Sequence, residues 1–142
     1  MQVTNQLHKQ NYFNMKTHAQ LKKELDKVFS QSVRWAYADD NGMVECYTCG
    51  VVKHVKEMQN GHFQSRRHLS TRWHVDNCKP QCPKCNIFSE GEKWKFGKKL
   101  EAEIGVQAVE ELVQLSYKSV KYSKSDLQYL IDKYKAILKN LC

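Results

Sequence analysis

Apolar residues recur at helical spacing in several stretches of the chain, and short turn-rich segments separate them. Over residues 17–37, Leu21, Leu25, Val28, Phe29, Ser32, Val33 and Ala36 share one face of a 3.6-residue repeat and predict a helix with one buried stripe. Asp39-Asp40-Asn41-Gly42 ends it with turn chemistry, and residues 44–52 read as a short hairpin. Residues 58–82 lack helical periodicity and are rich in turn formers. They read as a strand near 61–64, a basic loop through Arg66, Arg67, His68 and Arg72, and a second strand near 77–81 that Pro80 confines locally to an edge. A further helix is predicted to begin at or just after Cys85, or at Glu90, and to run through Trp94, Phe96 and Leu100 to Ile104, where Gly105 stops it. Val106, Val109, Leu112, Val113, Tyr117 and Val120 mark another. Ser123 and Asp126 form a capping box ahead of a last helix striped by Leu127, Leu130, Ile131, Tyr134, Ile137, Leu138 and Leu141. Residues 1–16 have no pattern and are expected to be a flexible tail, leaving 17–142 as a single domain with a centre at 44–104 and a helical extension at 106–142.

The six cysteines add chemistry to this layout. Cys46-Tyr-Thr-Cys49 and Cys82-Pro-Lys-Cys85 are two C-x-x-C knuckles, each able to present two thiolates at the separation a tetrahedral zinc ion requires. The gap between them exceeds that of a compact zinc ribbon, so a substructure must sit between the pairs. Disulfides are the competing reading. Residues 1–16 are polar and hold no apolar h-region, which favours a reducing cytoplasm and a structural zinc. His54 is an alternative zinc ligand, but four thiolates suffice. Cys78 reads as a small buried residue and Cys142 as a terminal thiol.

Charge changes the picture more than overall composition does. The chain carries a net +8 with 41% hydrophobic and 11% aromatic residues, the composition of a folded protein, and no apolar run approaches a membrane span. Residues 53–99 hold eleven Lys/Arg against four Asp/Glu, whereas the segments on either side are nearly balanced. Positive charge concentrated between and just after the cysteine pairs predicts contact with a phosphate backbone rather than a uniformly solvated face.

Two residues in that region could support hydrolysis. His62 lies between the knuckles, and imidazole has an ordinary pKa of ~6.5, suited to a general base. Asn86 directly follows the last cysteine and offers a hard amide oxygen for magnesium or manganese. Glu90 shares its face if the segment is helical, and reads equally as a metal ligand or as a first-turn residue favoured by the helix dipole. Asn77 is a third member of the candidate catalytic set, with a side chain placed to tie the basic loop to the strand. Arg66, Arg67, His68, Arg72 and Lys93 are candidate DNA contacts, guanidinium forks being well matched to phosphate. Trp35, Trp73 and Trp94 are expected in the core. The layout of strand, loop, strand and helix stitched by zinc predicts an α+β fold: a zinc-stapled ββα-metal, HNH-like nuclease centre flanked by N-terminal and C-terminal α-helices.

The ordered set Cys46-Tyr-Thr-Cys-Gly50, Gly61-His62-Phe63, Asp76-Asn77, Gln81-Cys82-Pro-Lys-Cys85-Asn86 and Gly91, with Asp26-Lys-Val-Phe29-Ser and Val33-Arg34 upstream, resembles the lambda NinG (Rap) family of phage recombination nucleases over roughly residues 20–105. More distantly it is similar to phage endonuclease VII, a Holliday-junction resolvase. There a metal-binding asparagine likewise follows the last zinc cysteine, and a histidine lies between the cysteine pairs. The resemblance implies an endonuclease acting on branched DNA, Holliday junctions or flaps, with structural Zn2+ and catalytic Mg2+ or Mn2+, in the cytoplasm of a bacterial host. One position departs: endonuclease VII-like enzymes carry a metal-binding carboxylate immediately before the catalytic histidine, where this chain has Gly61. Glu90, Asn60, Asp76, His68 or His74 would supply the missing ligand, or DNA phosphates would share the metal.

Other functions compatible with these features are a non-catalytic zinc module that binds DNA as a recombination accessory, an HNH nicking endonuclease acting on ordinary duplex, and a zinc-stapled protein-interaction domain. Paired cuts on opposed strands of a junction would favour a two-fold homodimer through the helical flanks. Burial of the same apolar stripes against one another within one chain is the competing expectation.

Overall fold

The computed structural model describes residues 15–141, so residues 1–14 of the expected tail and Cys142 lie outside the described residues. Helix α1, His18–Ala36, starts at Thr17, whose hydroxyl accepts from the Gln20 N–H while the Gln20 side chain accepts from the Thr17 N–H. This reciprocal pair satisfies two amides that helix geometry would leave open. The hairpin follows as β1, Met43–Glu45, and β2, Val52–His54, antiparallel with Val44 opposite Lys53. Strands β3, Gln59–His62, and β4, Cys78–Gln81, form a second antiparallel pair with His62 opposite Cys78. Between them lies the basic loop with one short helix, α2, Leu69–Arg72. The result is an α+β chain in which helices flank two small sheets.

The segment after the second knuckle differs from expectation. Instead of running straight into a helix, Lys84–Phe88 forms a single π-helical turn, and Glu90, Gly91 and Glu92 then take positive φ values of 52°, 84° and 50°. Left-handed backbone at three consecutive residues cannot continue a right-handed helix, so α3 begins only at Lys93 and runs to Ile104. Helix α4, Val106–Ser116, follows immediately, the turn being made by Gly105 at φ 91°. Helix α5, Lys124–Leu141, starts at the expected capping box, in which the Asp126 N–H donates to Ser123 Oγ at 3.0 Å and the Ser123 N–H to the Asp126 carboxylate at 2.9 Å.

Three apolar clusters hold these elements. The largest joins Leu21, Leu25, Val28, Phe29 and Val33 of α1 to Leu127, Ile131 and Tyr134 of α5, with Trp73 and Cys78 closing one end. A second packs Phe96 and Leu100 of α3 against Val109 and Leu112 of α4, with Tyr47 against them. The third, Val44, Cys46, Val55, Met58, Cys82 and Cys85, surrounds the knuckles. Of the apolar stripes of the two C-terminal helices, Val109, Leu112, Leu127, Ile131 and Tyr134 are buried inside the chain, whereas Val106, Tyr117, Ile137 and Leu141 are exposed. Trp73 is in the core and Trp35 packs against the knuckle cluster, whereas Trp94 is exposed, contrary to expectation. No helix among the described residues is long and apolar enough to cross a membrane.

Ile131 is fully buried between α5 and α1. Ile131→Ala is expected to destabilise the protein by about 2–5 kcal/mol in denaturant unfolding, because it removes methyl groups and leaves a cavity that two rigid helices cannot close.

Candidate metal centre and basic groove

Cys46 and Cys49 sit on the turn after β1, and Cys82 and Cys85 lie just beyond β4. Two hydrogen bonds bring these places together: the Tyr47 N–H donates to the Pro80 carbonyl at 2.9 Å, and the Cys82 N–H donates to Cys46 Sγ at 3.3 Å. The four sulfurs lie within 4.8 Å of one another, with Cys49 and Cys82 Sγ 3.7 Å apart. Zinc–sulfur bonds of about 2.3 Å in a tetrahedron set sulfurs roughly 3.8 Å apart, so the donor set fits a zinc-sized ion. Each of the described cysteines is unbridged, and the four sulfurs are grouped as one donor set rather than as two pairs. Burial would raise the Cys46 thiol, but N–H groups of Cys82, Cys49 and Thr48 directed at its sulfur outweigh this and lower it to about 6. A metal ligand has to be deprotonated, and these donors favour that state. His54 is not in the cluster; its Nδ1 accepts from the Lys56 N–H at 3.2 Å. Cys78 is buried away from it, in the α1–α5 core.

Asn86 is positioned by the same knuckle, because its N–H donates to the Cys82 carbonyl at 2.9 Å. Its side-chain amide donates to Gln59 Oε1 at 2.8 Å, which orients the group and leaves its oxygen available. Asn86 and Gln59 form part of the wall of an open groove of about 620 Å³ together with Asn60, His62 and Arg66. The facing wall is α1, which contributes Lys23, Asp26, Lys27, Ser30, Gln31 and Arg34. Asn60 lines the groove, and its Oδ1, like Gln81 Oε1, is buried with no hydrogen-bond partner.

His62 is half-buried, and its Nε2 lies 2.9 Å from the Arg72 carbonyl oxygen. A carbonyl only accepts, so Nε2 carries the proton and the neutral ring keeps its lone pair on Nδ1. Burial pushes the imidazole below its ordinary pKa; Arg66 and Lys93 act in the same sense, against the Arg72 carbonyl and Asp26. Arg72 is itself held. Its Nε donates to Asp26 Oδ1 at 2.9 Å, its Nη2 bonds the other carboxylate oxygen, and Trp73 Nε1 and Arg66 Nη2 donate to the same carboxylate at 3.0 and 2.8 Å. Burial alone would raise the Asp26 carboxyl, but these donors, Arg72 foremost, hold it below its ordinary value. One carboxylate on α1 thereby positions the carbonyl that orients His62.

The basic residues divide differently from expectation. Arg72, with a side chain only 15% exposed, is locked onto Asp26 and is not a free phosphate contact, whereas Arg66 is 63% exposed and Arg67 is exposed. Lys93 Nζ donates to the His62 and Phe63 carbonyls. Lys79 donates to the Tyr37 hydroxyl, and Lys99 to the Tyr47 carbonyl. Much of the positive excess in residues 53–99 thus has intramolecular partners. Besides Arg66, the groove's cations come from α1, where Lys23, Lys27, Ser30, Gln31 and Arg34 recur at helical spacing as a polar stripe; Arg34 Nη1 also donates to the Val55 carbonyl at 2.9 Å. Asn77 is fully buried, accepting from the Gln64 N–H and donating to the carbonyls of Gln64 and Thr71, so it ties β3 to the loop. Glu90 is exposed and does not line the groove, because the left-handed segment breaks the helix that would have carried it onto the face of Asn86. His68 meets the Tyr117 ring edge-on, and His74 caps the turn at Asp76; none of the three lines the groove.

Gly61 has a steric explanation. A Cβ there would stand 2.0 Å from Gln81 Oε1, and Gln81 is fixed through its amide to Thr48 Oγ1 and the Gly91 carbonyl. No carboxylate fits at this position.

The family model described as Bacteriophage Lambda NinG protein matches residues 1–142. The chain belongs to the NinG family. NinG is a phage recombination-associated family, and the match extends over the helical flanks as well as the cysteine centre. No curated protein and no solved structure matches the chain.

Removing the metal, or replacing Cys82 by Ser, is expected to unfold the knuckle region, since binding energy at such a site is folding energy. Elemental analysis should give one zinc per chain, and circular dichroism should show loss of structure on chelation. Asp26→Asn is expected to cost about 2 kcal/mol near neutral pH, the scale of hydrogen bonds to a charged group. Because the folded carboxyl is depressed, its contribution is complete above the unfolded pKa of ~3.9 and is lost as pH falls through the lower folded value. The difference between variant and parent should therefore shrink below about pH 4 in acid unfolding.

Proposed function

We propose that this NinG protein is a metal-dependent endodeoxyribonuclease of the HNH type, acting on branched DNA in recombination. The observation that carries this reading is the meeting of His62, with an anchored Nε2 and a free Nδ1, and Asn86 in one cation-walled groove. The order β3, β4, α3 beside a four-cysteine cluster supports it.

In the proposed reaction His62 Nδ1 takes a proton from water as its oxygen attacks phosphorus; the new P–O bond replaces the bond to the leaving sugar oxygen. The Asn86 and Asn60 side-chain oxygens would hold Mg2+ or Mn2+, both hard ions that favour oxygen donors. When bound there, the ion supplies charge neutralisation on the scissile phosphate and the leaving oxygen. Asp26 could not serve as a ligand without releasing Arg72, so DNA phosphates would share the ion, and Lys23 and Lys27 would receive the flanking backbone.

Zinc-loaded protein should cleave four-way junctions or flaps with magnesium or manganese and not with neither. His62→Ala should lower the rate by ~10²–10⁴-fold while DNA affinity and zinc content stay near the parental level. The rate should rise with pH and reach its plateau with a midpoint below ~6.5, because a depressed imidazole is already neutral there; a bound cation moves it the same way. Parental cleavage by His62→Ala refutes the assignment. DNA binding without cleavage of any substrate favours a recombination accessory.

A further inference from the structure

Among the described residues, most large aromatic side chains are packed into one of the three clusters; Tyr37, Tyr117 and Tyr129 are exposed elsewhere, and Phe88 and Trp94 are exposed on the segment that follows Asn86. Phe88 is 81% exposed and Trp94 75%, with Ile87 at 57% next to Phe88 in sequence. Apolar side chains scattered singly on a surface need no explanation, but these two rings fall in one lysine-rich segment that directly follows Asn86.

Their setting identifies what would cover them. Phe88 is two residues beyond Asn86, so the two Cα atoms lie within about 7 Å. Trp94 adjoins Lys93, whose ammonium grips the backbone of His62 and Phe63. Lys84, Lys95 and Lys98 are exposed around them, and Lys98 Nζ lies 6.0 Å from the Trp94 ring centroid. Glu90 and Glu92 are the acids of this segment, leaving residues 84–99 with five lysines against two glutamates. The backbone that carries the rings is fixed: the Gly91 N–H donates to the Cys85 carbonyl at 2.8 Å, and Gln81 Nε2 donates to the Gly91 carbonyl at 2.9 Å. Flat apolar faces on a rigid, lysine-lined support fit a ligand with flat apolar rings and an anionic backbone. Paired bases hide their faces within the stack, whereas unpaired bases offer them.

We propose that Phe88 and Trp94 are stacking platforms for unpaired DNA bases, and that they direct the protein to DNA with a single-stranded segment next to a duplex. The inference rests on the nucleic-acid reading above and adds the feature of the substrate that is recognised.

Fluorescence anisotropy of the zinc-loaded full chain, without magnesium or manganese, would compare a perfect duplex with the same duplex bearing a single-stranded flap. The parent should prefer the flap. Phe88→Ala/Trp94→Ala should weaken flap binding roughly fivefold to a hundredfold, leave duplex binding within about twofold, and leave the salt dependence unchanged, since no phosphate contact is lost. Phe88→Tyr/Trp94→Phe, which keeps both rings, should bind the flap like the parent and shows that loss reflects stacking rather than folding. Equal affinity of the alanine variant and the parent for the flap would overturn the proposal, as would an equal loss on both DNAs. So would a changed sedimentation coefficient of the alanine variant with flap binding intact, which would mark a protein-contact surface. A parent that binds no DNA would overturn the nuclease reading beneath it as well.

Discussion

Four sulfurs held within 4.8 Å of one another are the constraint on which the rest of this structure depends. Thiolates at that separation repel, and a divalent cation among them would turn the repulsion into a cross-link. Two-stranded sheets are too small to stand alone in water. The cluster joins the β1–β2 hairpin to the end of β4, and the small apolar group around Val44, Val55 and Met58 closes over it. Asn86 inherits its position from this arrangement, following Cys85 directly and bonding back to the Cys82 carbonyl.

A second support comes from the helices. One face of α1 buries Leu21, Leu25, Val28, Phe29 and Val33 against α5, while another presents Lys23, Lys27 and Arg34 to the groove. Asp26 lies between these faces and reaches across to Arg72 and Trp73. The carbonyl of Arg72 then orients His62. The groove is thus built from two sides, with the cysteine cluster setting Asn86 and the helical core setting His62. The N-terminal helical flank forms one wall of the groove.

How much of this was legible in the sequence depended on whether the signal was local. The cysteine spacing, the stripe of α1, the Ser123–Asp126 cap and the stop at Gly105 are short-range features, and each lies where the pattern placed it. The start of α3 was not legible, because an apolar pattern does not reveal three successive residues in left-handed backbone. Trp94 follows from that displacement. Once α3 begins at Lys93, 100° per residue sets Trp94 about 200° away from Phe96, and Phe96 takes the core. Counting cations failed for a related reason. A lysine bonded to a backbone carbonyl, as Lys93 and Lys99 are, looks in sequence like one awaiting a phosphate. Gly61 was noticed as a missing carboxylate, but only the packing of Gln81 against it gives the reason.

The proposed reaction requires a divalent ion at the Asn86 oxygen, beside His62 in the groove between β3 and α1. Manganese is paramagnetic and broadens the magnetic resonance signals of nuclei near it. Titrating it into isotope-labelled, zinc-loaded protein without DNA tests the claim directly. The account predicts broadening that begins at the side chains of Asn86, Asn60 and His62 and spreads to Lys23 and Lys27 across the groove. Broadening centred on Asp76, Glu90 or the acids of α4, with His62 and Asn86 unaffected, would contradict it.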